Sequence, residues 1–250
     1  AITFTNKAAR EMQERVSQLL SGTNIKGLTI ATFHSLGMQI LRQEAEVLGY
    51  KKQFSILDSS DSFKILSDIL ATTDKQLLRK TQWQISSWKN GFLTPDQAKA
   101  NADEELTHAA AKVYQIYQQT LKAYQAVDFD DLIAVPAMIF ERNPEVREKW
   151  QKRVRYLLVD EYQDTNHAQY VLVKELVGVD TPSLPAGQLC VVGDADQSIY
   201  AFRGATIRNI EEFERDYPSA RTILLEQNYR STQTILTAAN AVISRNQGRR

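Results

Sequence analysis

Cysteine is nearly missing from this 250-residue sequence: Cys190 stands alone. One thiol excludes an internal disulfide and a cysteine-based zinc site, and its place in the apolar run Leu189 to Val192 marks it as a core residue in a reducing, cytoplasmic setting. Also lacking is any apolar stretch near the roughly 20 residues a membrane span requires. The N-terminus has no basic segment followed by an apolar one, so no membrane partner is expected. Excess charge of one sign is absent too: 30 Lys and Arg balance 30 Asp and Glu. Any contact with a polyanion must then come from local clusters rather than from the overall field. No Gly is followed by Lys, which excludes a phosphate-binding loop of the Gly-x-x-x-x-Gly-Lys type within these residues. What is present is 43% hydrophobic residues, enough for one large core or two modest ones.

Ala1-Ile2-Thr3-Phe4-Thr5 reads as a strand already under way, and with no initiator Met it suggests a piece of a longer chain. Ala8, Met12, Val16, Leu19 and Leu20 follow at helical spacing, then a strand over Gly27 to Phe33 and a helix carrying Leu36, Ile40, Leu41, Ala45 and Leu48. Strand alternating with helix predicts an α/β fold with a parallel sheet. From Lys51 no strand is expected until Val154. Asp58, Asp74 and Thr94-Pro95 are candidate helix starts, and Leu106 to Tyr124 reads as a longer helix, so 51–125 is expected to be an all-helical insertion whose aromatic residues form core. Asp128, Asp130 and Asp131 read first as caps of the next helix, with a cation site as the alternative. The basic residues Arg147, Lys149, Lys152, Arg153 and Arg155 read as a solvated face or a phosphate contact. Strands are expected again at Tyr156 to Val159, Leu189 to Val192 and Arg221 to Leu225, with a boundary at Tyr217-Pro218-Ser219.

The chemistry lies at the ends of these strands. Tyr156-Leu157-Leu158-Val159 runs into Asp160-Glu161, which is either a polar strand exit or a pair in which the first acid holds Mg²⁺ and the second acts on water. One helix and one strand later comes Gly193-Asp194-Ala195-Asp196-Gln197, so both polar ends should emerge on the same edge of a parallel sheet, with Gln197 placed to sense a γ-phosphate. Tyr229-Arg230 sets a ring able to stack on a base beside a guanidinium able to neutralise phosphoryl charge. Phe4, Phe33, Tyr200 and Phe202, beside Thr32, His34 and Arg203, suit unpaired bases, although each ring is equally well read as core and His34 as a structural histidine.

Taken together, Thr3-Phe4-Thr5-Asn6-Lys7-Ala8-Ala9, Thr32-Phe33-His34-Ser35, Val159 to Asp164, Gly193-Asp194 with Gln197 to Ala205, and Leu225 to Ser231 resemble successive motifs of the UvrD/Rep/PcrA superfamily 1 DNA helicases. The resemblance implies a RecA-like 1A subdomain at 1–50 and 126–217, a helical 1B subdomain at 51–125, and the start of 2A at 218–250. It implies ATP and Mg²⁺ as cofactors and 3′ to 5′ translocation on single-stranded DNA, with unwinding at single-strand/duplex junctions in DNA repair or replication. In that reading Asp160 holds Mg²⁺, Glu161 acts on water, Gln197 and Arg230 touch the γ-phosphate and Tyr229 stacks on adenine. Phe4, Thr32, His34, Tyr200, Phe202 and Arg203 then fall on the DNA side. Position 202 is Phe where many relatives carry Trp, and the phosphate loop is missing, so these residues alone should hydrolyse ATP negligibly. A non-enzymatic single-strand-binding or docking module and the motor of a helicase-nuclease remain the alternatives, with one copy or two left open.

Overall fold

The computed structural model describes residues 1–51, 53–102 and 105–246, the side chains of residues 105, 106 and 202 excepted. β1 (Ile2–Thr3) leads into α1 (Asn6–Leu19), whose start is capped by Thr5 Oγ1 accepting from Ala8 N at 3.1 Å. β2 (Ala31–Thr32) gives way at once to α2 (Phe33–Glu44), because Thr32 Oγ1 accepts from Ser35 N at 3.1 Å and starts the helix earlier than the apolar run suggests. β3 (Ser55–Leu57) precedes α3 (Ser59–Leu70), which opens with a reciprocal Asp58 and Asp61 capping box. Asp74 caps α4 (Lys75–Asn90), and Thr94 with Gln97 caps α5 (Pro95–Ala100), where Pro95 occupies the first helical position. α6 (Glu105–Ala123), β4 (Ala126–Asp128), α7 (Asp131–Arg142) and α8 (Pro144–Arg153) follow. The chain then runs through β5 (Tyr156–Val159), α9 (His167–Val177) and β6 (Gln188–Val191). Three short helices complete it, α10 (Arg208–Glu211), α11 (Phe213–Asp216) and α12 (Gln233–Ile243).

Four strands make one parallel sheet in the order β2-β1-β5-β6, with Ile2 opposite both Ala31 and Val159 and Leu157 opposite Leu189. Parallel strands need covered faces, and here Ile2, Phe33, Ile40, Phe140, Leu157, Val159 and Leu172 join strands to α2, α7 and α9 in one core. α2 and α7 meet at Gly37, where a Cβ would lie 1.6 Å from the Leu132 carbonyl oxygen, so no larger residue fits. A second core is built from α3, α4 and α6: Leu66, Leu78, Ile85, Trp88, Tyr114, Tyr117 and Leu121. Within it the Trp88 and Tyr114 rings stack 5.6 Å apart, an arrangement worth about 0.5–1.5 kcal/mol beyond burial.

Three expectations are corrected. The stretch 51–125 is not wholly helical, since β3 lies in it and pairs in parallel with β4 (Ser55 opposite Ala126, Leu57 opposite Asp128). Strands of three residues are too short for a period of two to show, and this partner lies about seventy residues away in sequence. Arg221 to Leu225 forms no strand: Ile223, Leu224 and Leu225 are 69%, 76% and 85% exposed, an apolar run with no strand beside it, among the described residues, to take its backbone hydrogen bonds. Cys190 is exposed rather than buried, because β6 is the edge strand and its alternation turns Leu189 and Val191 toward the core and Cys190 away. Among the described residues no helix is long and apolar enough to cross a membrane.

Candidate active site

The C-terminal edge of the sheet carries the acids. Asp160 N donates to Ile2 O at 3.0 Å, continuing the β1–β5 ladder by one residue, and Asp160 Oδ1 accepts from Glu161 N at 3.0 Å. Burial, with a smaller push from the Glu161 charge, raises the Asp160 carboxyl above the usual carboxylate range. Glu161 adopts φ 50°, a left-handed conformation that costs a non-glycine residue about 1–2 kcal/mol. Two bonds hold that turn: Tyr162 N donates to Val192 O at 2.9 Å, and Gln163 Nε2 donates to Glu161 Oε2 at 2.7 Å. Strain kept at an exposed carboxylate by specific bonds is the kind of feature that accompanies function.

From Gln163 the network crosses to the next strand. Its Oε1 accepts from Asp194 N at 3.1 Å, and Asp194 Oδ2 accepts from Gln197 Nε2 at 3.0 Å. Glu161, Gln163, Asp194 and Gln197 thus form one hydrogen-bonded chain along the sheet edge. Gly193 makes room for it: a Cβ there would lie 2.7 Å from Gln163 Oε1 and 2.8 Å from Ile210 Cδ1. Gln163 is buried, and although both it and Asp194 fall within the quoted motif stretches, the sequence assigns neither a role; an amide two residues after an acid pair is the only cue. Neither Asp160 nor Glu161 makes an ion pair among the described residues. Nor, among those residues, do three or more His, Cys, Asp or Glu converge as a metal cage. One or two carboxylates completed by substrate phosphates is how Mg²⁺ is ordinarily held, so Asp160 beside Glu161 fits that ion.

Tyr229 and Arg230 stand apart from this edge. Tyr229 is 92% exposed, Arg230 N donates to Asn228 Oδ1 at 2.9 Å, and among the described residues no hydrogen bond or ion pair joins either side chain to Asp160, Glu161 or Gln197.

The residues expected on the nucleic-acid side split into two groups. Phe4 is half-buried with its ring 5.2 Å from that of Phe33, which is itself core. Thr32 is buried, and beyond capping α2 its hydroxyl donates to Ser35 Oγ at 3.0 Å. His34 is half-buried, held neutral by burial that lowers its pKa, with its ring 5.7 Å from Phe129. Tyr200 and Arg203 lie outside, the guanidinium 5.2 Å from the ring centroid. The Phe202 side chain lies outside the described residues. Arg203 lines an open cleft of about 1100 Å³ together with His167, Phe129, Asp130 and one side of α4. Phe129, 44% exposed, is a cleft residue that sequence reading passed over, although an aromatic just beyond a strand end was the signal used elsewhere.

The floor of the cleft resolves the acidic run. Lys89 Nζ donates to Asp128 Oδ2 at 2.7 Å and to Asp131 Oδ1 at 3.1 Å, all three residues being buried. Tyr117 OH also donates to Asp128 Oδ2, at 2.9 Å. Asp128 and Asp131 exchange side-chain-to-backbone bonds at the entry to α7, Asp131 N donating to Asp128 Oδ1 at 2.9 Å and Asp128 N to Asp131 Oδ2 at 3.2 Å, but Asp130 at the N-cap makes no side-chain cap bond, so the expected capping is not seen there and a lysine takes the place considered for a cation. Burial alone would drive the proton from Lys89, but the two carboxylates hold it well above the usual lysine range. Asp131 is pushed up to about 7 by burial and by the Asp128 charge. The basic residues before β5 are likewise engaged internally: Arg147 with Glu175 at 3.7 Å, Lys149 with Glu44, Lys152 with Glu148 at 2.7 Å, Arg153 Nη1 with Gln43 Oε1 at 2.8 Å and Arg155 Nη2 with Pro185 O at 2.8 Å.

Residues 1–218 match the model of the UvrD/REP helicase N-terminal domain. The chain belongs to the UvrD/REP helicase family. It is 54% identical over 259 residues to the ATP-dependent DNA helicase UvrD1 of Mycobacterium tuberculosis, covering 100% of this chain and 34% of that protein. To the ATP-dependent DNA helicase Rep of Escherichia coli it is 49% identical over 249 residues (98% and 36%), and to the ATP-dependent DNA helicase PcrA of Staphylococcus aureus 48% over 254 (100% and 34%). The chain therefore spans about a third of the length of these UvrD/REP relatives. The match runs through the sheet, the helical core and the acidic edge alike.

Proposed function

We propose that this chain forms part of an ATP-dependent DNA helicase motor of DNA repair or replication, working in the cytoplasm on single-stranded DNA and its junctions with duplex. Residues 1–50 and 126–217 serve as the 1A subdomain, 51–125 as 1B and 218–250 as the start of 2A. The observation that carries this reading is the chain from Glu161 through Gln163 and Asp194 to Gln197, three residues before Tyr200. One hydrogen-bonded unit ties the acid that acts on water to the amide facing the γ-phosphate, and that amide sits next to the ring–guanidinium pair at the cleft.

In this reading Asp160 holds Mg²⁺, which when bound offsets phosphate charge. Glu161, fixed by Gln163, orients the attacking water and takes its proton. Gln197 reads the γ-phosphate, and any shift in its position is passed to Tyr200 and Arg203 through the short turns between them. Tyr229 stacks on adenine and Arg230 reaches the γ-phosphate once the segment that carries them folds against the acidic edge. Phe4, Thr32, His34 and Phe202 complete the DNA side, Thr32 through its hold on α2. Since these 250 residues contain no phosphate-binding loop, ATP binding by them alone is weak. The test is a chimera in which this chain replaces the matching third of Escherichia coli Rep. DNA-stimulated ATP hydrolysis with 3′ to 5′ translocation is expected; hydrolysis indifferent to DNA in a well-folded chimera contradicts the reading.

A further inference from the structure

We propose that the cavity between the two cores, lined by α6 and α7, is a binding site for a small planar aromatic anion that carries an N–H or O–H donor. α7 belongs to the sheet core and α6 to the helical one, and the space between them measures about 310 Å³. That volume lies at the lower end of the range for ligand pockets, about 300–1,000 Å³. Its walls are apolar and aromatic: Tyr50 from the turn after α2, Phe92 from the turn after α4, Tyr114 and Leu121 from α6, and Val135 and Met138 from α7. Asp160, Glu161 and Gln197 do not line it, so the cavity is separate from the candidate active site.

The polar groups of the wall set the chemistry of the occupant. Gln118 lines the cavity, and its Oε1 is buried with no hydrogen-bond partner among the described residues. Buried acceptors without a partner are rare in folded proteins, and a ligand N–H or O–H supplies one once the Gln118 amide turns toward it. Asp131, the one carboxylate among the described residues of the lining, is taken up by Lys89 at 3.1 Å. Lys122 stands exposed on α6, one turn beyond Gln118, and makes no ion pair among the described residues. The charge left unengaged on the wall is therefore an ammonium, which favours an anion and disfavours a cation. Backbone strain marks the same place: Phe92 at φ 59° and Gln125 at φ 49° both line the cavity, held left-handed by bonds from Phe92 N to Lys89 O at 3.0 Å and from Gln125 N to Lys122 O at 3.1 Å. Strained residues gather at ligand clamps as they do at active sites.

Indoleacetate, which has the ring, the N–H and the carboxylate, is titrated into the chain by calorimetry. Beside it run naphthaleneacetate, which lacks the N–H, and tryptamine, in which an ammonium replaces the carboxylate. Saturable one-to-one binding of indoleacetate is expected, with naphthaleneacetate about 3- to 10-fold weaker and tryptamine weakest. Gln118→Leu should bring the two acids to the same affinity, and Lys122→Gln should weaken both about 2- to 5-fold. Val135→Phe, which fills the space, should abolish binding while melting remains cooperative; where that variant does not fold, the two acids on Gln118→Leu decide. No saturable binding into the millimolar range means that the cavity holds water only, and overturns the proposal. So does binding that survives Val135→Phe in a folded chain, or a Gln118→Leu chain that still prefers indoleacetate. Neither DNA nor ATP enters these titrations, so their outcome is separate from that of the motor reading.

Discussion

Asp128-Phe129-Asp130-Asp131 starts at the C-terminal end of β4, and Asp160-Glu161 starts just past that of β5. As sequence the two look alike, acids beyond a short apolar strand. In the fold they part ways. In the first, Asp128 and Asp131 are buried and closed over by Lys89, with one ammonium serving two carboxylates and the Tyr117 hydroxyl adding a third side-chain hydrogen bond to the set. The second is open: Asp160 is half-buried, Glu161 exposed, and their partners are a backbone N–H and an amide, not a cation. Acidic clusters become structural when the fold brings its own counter-charge, and stay available for chemistry when it does not. A buried carboxylate pair without Lys89 would be prohibitively costly, whereas an exposed pair tolerates like charges because water screens them.

Breaking the closed cluster should produce the largest effect. Lys89→Met leaves two carboxylates buried without their ammonium and should cost about 3–5 kcal/mol in denaturant unfolding; a loss under about 1 kcal/mol would mean the cluster is not held as described. Next comes its pH dependence. Asp131 holds its proton up to about 7 when folded, against an ordinary value of 3.8, so between those pH values the folded state carries a proton that the unfolded chain has released. Stability should therefore fall, on the order of a few kcal/mol, as pH rises from about 4 to about 7 and level off above. Melting curves across that window should show Asp131→Asn flattening the fall. At the open edge, Gly193→Ala should cost about 1–3 kcal/mol by pressing on Gln163 and Ile210, and it should detach Gln163 from Asp194. Smallest of all, Glu161→Gln should change stability by less than about 0.5 kcal/mol, since an exposed acid that takes one amide bond contributes little to the fold.

How much of this was readable beforehand follows the same division. Local signals carried through: Asp58, Asp74 and Thr94-Pro95 start helices because capping is written within four residues, and the acid pair at the end of β5 and Gln197 past the end of β6 fall on one edge because strand direction is. Distant pairings did not. Lys89 meets Asp128 across 39 residues, Gln163 meets Asp194 across 31, and β3 finds β4 across about 70, so none leaves a periodic mark. The exposure of Cys190 is not legible either, because an apolar run reports strand character, not whether the strand is at an edge. Tyr229 and Arg230 stand in an exposed segment without regular secondary structure, so the roles proposed for them rest on sequence resemblance rather than on geometry.

The difference between the two acidic segments is tested most directly by hydrolysis and melting measured together on the Rep chimera. Glu161→Gln is predicted to lower DNA-stimulated ATP turnover by about 10²–10⁴-fold with an unchanged melting temperature. Turnover equal to that of the unaltered chimera would contradict the account, since the open acids would then be no more chemical than the closed ones.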